Sequence, residues 1–257
     1  MEQSLGIVVP AFRPDVEALV EYVRELAERL EPATVRIELD DPRSRVEERL
    51  RAADLPPAAT LSVARRRRGK GAAITAGFEA LDTDLLLFVD ADGSTPAASA
   101  ERILVPLYAG RADVAVGSRR HPDSTVTSHQ TFARRRLGDG FAWLARRLLE
   151  AELYDYQCGA KALTADWWER VRGHLYESGF AWDIELVAMA AALGARVLEV
   201  PIEWEDRPGS TVSPVRTTLS LARALLVVRH RAQRLGGSRL HDAIAEHRDE
   251  TALVDRK

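Results

Sequence analysis

The 257-residue chain has a single cysteine, Cys158. That excludes an internal disulfide framework and a cysteine-built zinc site, and it suits a reducing compartment. It has no surplus of positive charge, since Lys+Arg 36 stand against Asp+Glu 39 for a net charge of −3. A general nucleic-acid binder rests its affinity on a large cationic excess, so no nucleic-acid partner is expected. No apolar run approaches the ~20 residues that cross a bilayer. The opening MEQSLGIVVPAF also lacks the basic start and long apolar stretch of a secretory leader. The expectation is a soluble or peripheral protein on the cytoplasmic side. There is no internal repeat, low-complexity tract or evident linker.

Core-forming residues are plentiful: 46% are hydrophobic and 29% charged, an ordinary globular balance. Short apolar runs alternate with helical patterns. LGIVVP (Leu5–Pro10), TVRIEL (Thr34–Leu39), TLSVA (Thr60–Ala64), LLLFVD (Leu85–Asp90) and DVAVGS (Asp113–Ser118) read as buried strands. Between the first two, Val16, Leu19, Val20, Val23, Leu26 and Leu30 recur at helical spacing. Ser44–Ala53, the stretch from Gly69 through Leu81, and Pro96–Tyr108 supply further helices. This alternation predicts an α/β fold with a mostly parallel sheet flanked by helices. Farther on, Arg134–Leu149, Asp183–Leu193 and Pro214–Arg234 read as helices, Tyr154–Leu163 as an extended or looped segment, and Val197–Trp204 as a strand. A main domain over 1–212 is expected, followed by a C-terminal amphipathic helix and charged tail over 213–257.

The sharpest chemical signal is Asp90-Ala91-Asp92 at the end of the most hydrophobic strand. Ligands of open α/β sheets bind beyond the carboxyl ends of strands. Two carboxylates there suit a hard divalent cation that takes its other ligands from water and phosphate. The alternative is helix capping, because Ser94, Thr95 and Pro96 open the next helix. Lys70 lies in a Gly-Lys-Gly turn at a helix start, where backbone amides face anions; the arginine run Arg65–Arg68 beside it is either a solvated loop or a general anion attractor. Asp183 and Glu185 are two apart on a helix and do not face one another, so a shared-proton pair is not expected. The final helix sets Leu219, Ala222, Leu225, Leu226 and Val228 among Arg216, Arg223, Arg229, Arg231 and Arg234. It suits either the surface of an anionic membrane or docking on its own domain.

Several segments, in order, resemble glycosyltransferase family 2 enzymes of the GT-A fold. They are IVVPAFRPDVEAL, GKGAAITAGFEAL, Asp90-Ala91-Asp92-Gly93-Ser94-Thr95-Pro96, ADVAVGSRR, YDYQCGAKALTADWWERV and FAWDIELVAMAAALGARVLEVPIEW. The resemblance spans roughly Leu5–Arg231 and is similar to the polyprenyl-phosphate sugar transferases, the dolichyl-phosphate mannosyl- and glucosyltransferases. It implies an inverting, metal-dependent hexosyltransferase that acts on a nucleotide-diphosphate sugar of the UDP-glucose or GDP-mannose type and delivers to a polyprenyl phosphate for glycan or glycoprotein assembly. It also implies a membrane surface and room for a membrane-anchoring partner. By resemblance, Asp90 and Asp92 hold magnesium or manganese, and Pro10, Asp40, Asp41, Lys70, Asp90 and Ala91 bind the nucleotide sugar. Arg119, Arg134 and Arg207 take the acceptor phosphate, and Asp92, Asp183 and Glu185 serve catalysis. The chain departs from the family pattern at Pro42, where a glycine is usual, and at Gly138 and Ala142, where serine and asparagine are usual. Two other functions stay open at this stage: a soluble sugar acceptor, or a catalytically idle nucleotide-sugar-binding subunit.

Overall fold

A computed structural model describes residues 3–127, 132–205, 214–237 and 251–256; within these, the side chains of 132–137, 214–220 and 222 are not described. The chain alternates at first: β1 (Leu5–Phe12), α1 (Val16–Leu30), β2 (Thr34–Asp40), α2 (Ser44–Ala52), β3 (Ala59–Ala64), α3 (Lys70–Glu79), β4 (Leu85–Val89), α4 (Ala97–Tyr108) and β5 (Val114–Ser118). There follow β6 (Thr125–Thr127), α5 (Phe132–Leu148), β7 (Ala160–Thr164), α6 (Ala165–Val171), α7 (Trp182–Ala192), β8 (Val197–Pro201), β9 (Glu203–Glu205) and α8 (Pro214–Leu235).

The main sheet has the order β3-β2-β1-β4-β7-β5-β8. Every neighbouring pair is parallel except those of β7, which runs antiparallel to both β4 and β5. The segment expected to be extended or looped is therefore a loop followed by a central strand. VLEVPIEW also divides: β8 ends at Pro201, and β9 leaves to pair with β6 in a separate two-stranded ribbon.

Successive residues of a strand face opposite sides, and the core splits accordingly. Ile7, Val9, Leu85, Leu87 and Val89 pack with α1 and α4, while Val8, Leu86 and Phe88 pack with α3, α5, α7 and α8. In α1 the buried stripe is Val16, Leu19, Val20, Val23 and Leu26, each worth about 1.5–3 kcal/mol of transfer free energy. Asp15 caps that helix by accepting from Ala18 N at 3.1 Å. In α8 the described residues Leu221, Leu225, Val228 and Ala232 are buried in the second layer, with Leu226 exposed. Of the two expectations for this helix, its described apolar stripe meets the second: it docks on the protein's own core. The last described segment turns back onto the loop before α7, where Leu253 N donates to Leu175 O at 2.8 Å. No helix among the described residues is long and apolar enough to cross a membrane.

Candidate functional site

β1 and β4 are neighbours whose chains run on to strands in opposite directions along the sheet, β2 and β5, and the cleft lies beyond their carboxyl ends. The chain leaves β1 and β2 through left-handed residues, Arg13 (φ 52°) and Asp41 (φ 43°). The site is built around these ends and the turn after β4.

Its floor is a chain of alternating charges, enclosed at Lys161 and Asp183 and opening toward solvent at Asp90. Lys161 of β7 is fully buried; its Nζ donates to Cys158 O at 2.7 Å and to Asp183 Oδ1 at 2.9 Å. The other oxygen of Asp183 accepts from Lys70 Nζ at 3.0 Å, and Lys70 Nζ reaches Asp90 Oδ1 at 2.8 Å. The Phe88 ring lies beside both ammonium groups, 5.3 Å from Lys70 Nζ and 5.6 Å from Lys161 Nζ. Burial opposes the charge on Lys70, but Asp183 and Asp90 outweigh it and raise its pKa. Burial likewise works against ionised Asp183, and Lys161 and Lys70 still hold it below its ordinary value. For Asp90 burial wins: its pKa is raised despite Lys70, with Asp183 and Asp92 adding to the rise. Asp90 N donates to Gly159 O at 2.8 Å, and a Cβ at Gly159 would meet the Asp90 carboxylate, so any larger residue there would displace that carboxylate.

Asp92 is the contrast. It is exposed, and its Oδ1 accepts from Ser94 N at 2.9 Å. The turn that carries it is fixed from two sides, since Tyr22 Oη donates to Thr95 O at 2.6 Å and Glu205 N donates to Ser94 O at 3.0 Å. Among the described residues no three His, Cys, Asp or Glu side chains form a metal-binding cluster. The donor set is instead one exposed carboxylate beside a lysine-paired one. That fits a hard divalent ion whose remaining ligands are diphosphate oxygens and water.

Beyond β1 and β2, Asp40 is nearly buried and its oxygens are already engaged. They accept from Arg68 N at 2.7 Å, Gly69 N at 2.9 Å and Arg68 Nε at 2.7 Å, while Arg68 Nη2 donates to buried Glu38 at 2.7 Å. Asp40 thus fixes the entry to α3, whereas Asp41 is exposed beside it. Pro10 lies in β1 level with Glu38, and Ala91 is half-buried between the two aspartates. Sequence reasoning missed Phe12 and Arg13 here, and took Arg67 only as part of the arginine run. The guanidinium of Arg67 stands 4.1 Å from the centre of the Phe12 ring and that of Arg13 4.9 Å from it, a planar cationic surface at the mouth of the cleft. An aromatic residue ending the first strand, together with the nearby arginine run, was the available signal.

On the opposite side, Arg119 follows β5 and forms a fork with Asp155: Nε to Oδ2 at 2.7 Å and Nη2 to Oδ1 at 3.0 Å. Burial works against ionised Asp155, yet Arg119 holds it down at about 2. Glu199 of β8 receives the backbone N–H groups of Tyr154 and Asp155 at 2.8 and 2.7 Å, which seats that loop. Arg119 also lies 5.5 Å from the Trp204 ring. Arg120, paired with Asp139, occupies the space a Cβ at Gly138 would need, so that departure from the family pattern admits a cation. Ala142 is buried in α5. Arg207 lies outside the described residues, and of Arg134 only the backbone, in α5, is described. Burial pushes the Cys158 thiol up to about 12, which leaves it inert as a nucleophile.

Asp183 and Glu185 separate. Asp183 joins the floor and does not cap α7, whose capping residue is Ala181. Glu185 is fully buried and turned toward α8, where Arg231 Nη1 meets its Oε1 at 2.5 Å. Residues two apart on a helix point to nearly opposite sides.

An open, mostly parallel sheet with an acidic turn beyond its central strand is the architecture of the GT-A class. Residues 7–159 match the family model described as Glycosyl transferase family 2, and the chain belongs to that family. It is 31% identical to the glycosyltransferase AglD of Haloferax volcanii over 160 residues, 62% of this chain and 25% of that protein. To the dolichyl-phosphate beta-glucosyltransferase of Mus musculus it is 30% identical over 171 residues, 65% of this chain and 53% of the relative. The chain thus spans about half the length of this dolichyl-phosphate relative and a quarter of AglD. Among solved structures, glucosyl-3-phosphoglycerate synthase of Mycobacterium tuberculosis, in complex with Mn2+, UDP and phosphoglyceric acid, shares the fold. Its TM-score is 0.65 at 15% identity, over 88% of this chain and 78% of that one. Mannosyl-3-phosphoglycerate synthase of Rubrobacter xylanophilus gives a TM-score of 0.66 at 15% identity, over 96% and 77%.

Proposed function

We propose that this protein transfers a hexose, with inversion, from a nucleotide-diphosphate sugar to a polyprenyl phosphate. The observation that carries the reading is the exposed Asp92 carboxylate on a braced turn, directly above a floor whose other charges are already paired. A divalent cation, magnesium or manganese, would be held by Asp92 with Asp90 behind it, and when bound it would neutralise the departing diphosphate. The Phe12–Arg67–Arg13 surface suits a planar base with its attached charge, and Asp41 stands beside it for the ribose. Lys70, at the positive end of the α3 dipole, sets the cationic side of the diphosphate pocket. Arg119, held square by Asp155, would orient the acceptor phosphate with its remaining N–H groups, joined by Arg134 and Arg207.

A phosphate acceptor with a second pKa near ~6 is already a nucleophile at neutral pH. No general base is then needed, and the locked state of Asp183 between two lysines supports an acceptor of that kind. The names of the dolichyl-phosphate relatives support the lipid carrier; a peripheral place on the cytoplasmic face of a membrane is part of the proposal. The test is transfer of label from UDP-glucose or GDP-mannose to organic-soluble product, with polyprenyl phosphate present and with or without manganese. Label entering phosphate-free polyprenol or a soluble sugar instead would overturn the reading.

A further inference from the structure

Glu185 sits in the first turn of α7, fully buried and on the side away from the lysine-paired Asp183. Its Oε2 accepts the backbone N–H groups of Tyr176 and Glu177, both at 2.8 Å, and its Oε1 accepts from Arg231 of α8. The Arg231 guanidinium also lies 4.7 Å from the centre of the Tyr176 ring. One carboxylate therefore ties the loop before α7 to the final helix.

The far side of that loop bears on the cleft. Ser178 O accepts from Ala72 N at 3.2 Å in the first turn of α3. A Cβ at Gly69 would fall 2.4 Å from Ser178 O, and one at Gly71 2.4 Å from Glu177 O. Backbone meets backbone here with no side chain between, so a shift of the loop passes directly to the Gly69–Lys70–Gly71 segment, a contact without slack. Lys70 in turn carries Asp90.

We propose that Glu185 is a positioning residue: through the backbone of Tyr176–Ser178 it sets the Gly69–Gly71 segment, and Arg231 makes that setting depend on how α8 is docked. The consequence for catalysis rests on the reading of this segment as the edge of the nucleotide site. The coupling itself does not. Whatever displaces α8 would then be felt as a change in donor affinity rather than in acceptor affinity.

The experiment separates the two levels. Hydrogen exchange on the nucleotide-free full chain reads the coupling. In Glu185→Gln and in Arg231→Ala the Ala72 amide should exchange roughly tenfold faster or more, because local opening controls such exchange. Arg231→Lys should recover part of the protection. Val23→Ala, a deletion in the opposite core layer, supplies the control at matched melting temperature. Calorimetry with UDP and GDP then reads function: Kd for the nucleotide that binds should rise about tenfold in Glu185→Gln, the size expected for one charged hydrogen bond. If Ala72 exchange in both variants rises no more than in Val23→Ala, the proposal is overturned. If exchange rises as expected but neither nucleotide binds the wild type, the coupling stands and the reading of the site fails. Should Glu185→Gln not fold, Arg231→Lys and Arg231→Ala carry the same comparison.

Discussion

On the floor of the cleft, Lys161, Asp183, Lys70 and Asp90 cancel one another within hydrogen-bond distance; at its rim, Asp92, Asp41, Arg13 and Arg67 are exposed to solvent. The residue types are the same, and the surroundings assign the roles. A charge taken out of water must be matched by a partner, and at Lys161 and Asp183, the two that are fully enclosed, the match is made inside the protein. The deep end of the floor therefore holds geometry, and in the proposed reading its outer end, Lys70 and Asp90, and the rim meet the cation and the nucleotide. Single substitutions should separate the two sets by what they change.

The largest effect on folding is expected at Asp183. Asp183→Asn leaves two buried lysines with a single remaining carboxylate, a loss of roughly 3–5 kcal/mol for a broken buried pair, read as a lowered urea midpoint. If stability held and only activity fell, the division between floor and rim would be wrong. Asp92→Asn should do the reverse. Unfolding should shift by less than about 0.5 kcal/mol, as for an ordinary surface change. Transfer should fall on the order of 10²–10³-fold, the cost of removing one preorganised electrostatic contact to the transition state, and nucleotide binding should lose its manganese dependence in calorimetry.

The pH dependence of stability sharpens the comparison, because two buried acids have opposite slopes. Burial pushes Glu185 up to about 7 against Arg231 and two amides, so the stability linked to its proton is present below about 4.5 and lost as pH rises through 7. Asp155, held at about 2 by Arg119, contributes stability above about 3.9 that disappears as pH falls through 2. Urea midpoints of the wild type should fall between pH 5 and 7.5, and Glu185→Gln should be flat over that window. The smallest effect is expected at the mouth. Phe12→Ala removes the ring between Arg13 and Arg67, and nucleotide Kd should rise only a few-fold at an unchanged melting temperature, in keeping with about 0.5–1 kcal/mol for an exposed cation–π contact.

The alternation of apolar runs and helical spacing located β1 to β5 and their helices, because each of those strands is a short apolar run flanked by turns. β7 escaped this reading. Its direction is set by neighbours on both sides, and nothing within Ala160–Thr164 records which way its partners run. The break between β8 and β9 was equally hidden, since both lie in one apolar-rich stretch. Asp90, Asp92, Lys70 and Asp183 were singled out by place, residue type and resemblance. The pairings among them were not legible: Lys161 and Asp183 are joined across 22 positions, and Lys70 and Asp183 across 113. Asp40 looked like a ligand residue for the same reason, because only the fold brings Arg68 to it.

The place of β7 in the sheet also bears on how the protein is made. β5 pairs with β7 and β8 alone, both of which come later in the chain, so as it emerges from the ribosome it has no strand to join. The family match ends at residue 159, one position before β7 begins. A nascent chain that stopped there would hold a β1–β4 sheet with an open β4 edge and an orphaned apolar β5, the kind of surface that aggregates or recruits chaperones. Lys161 arrives with the strand that closes this gap, so the step that joins β5 to the sheet also delivers the fully buried lysine of the cleft floor. Closing the gap and seating Lys161 are then one event in synthesis, and a slow one, because the pairing of β4 with β7 spans about 75 residues of chain.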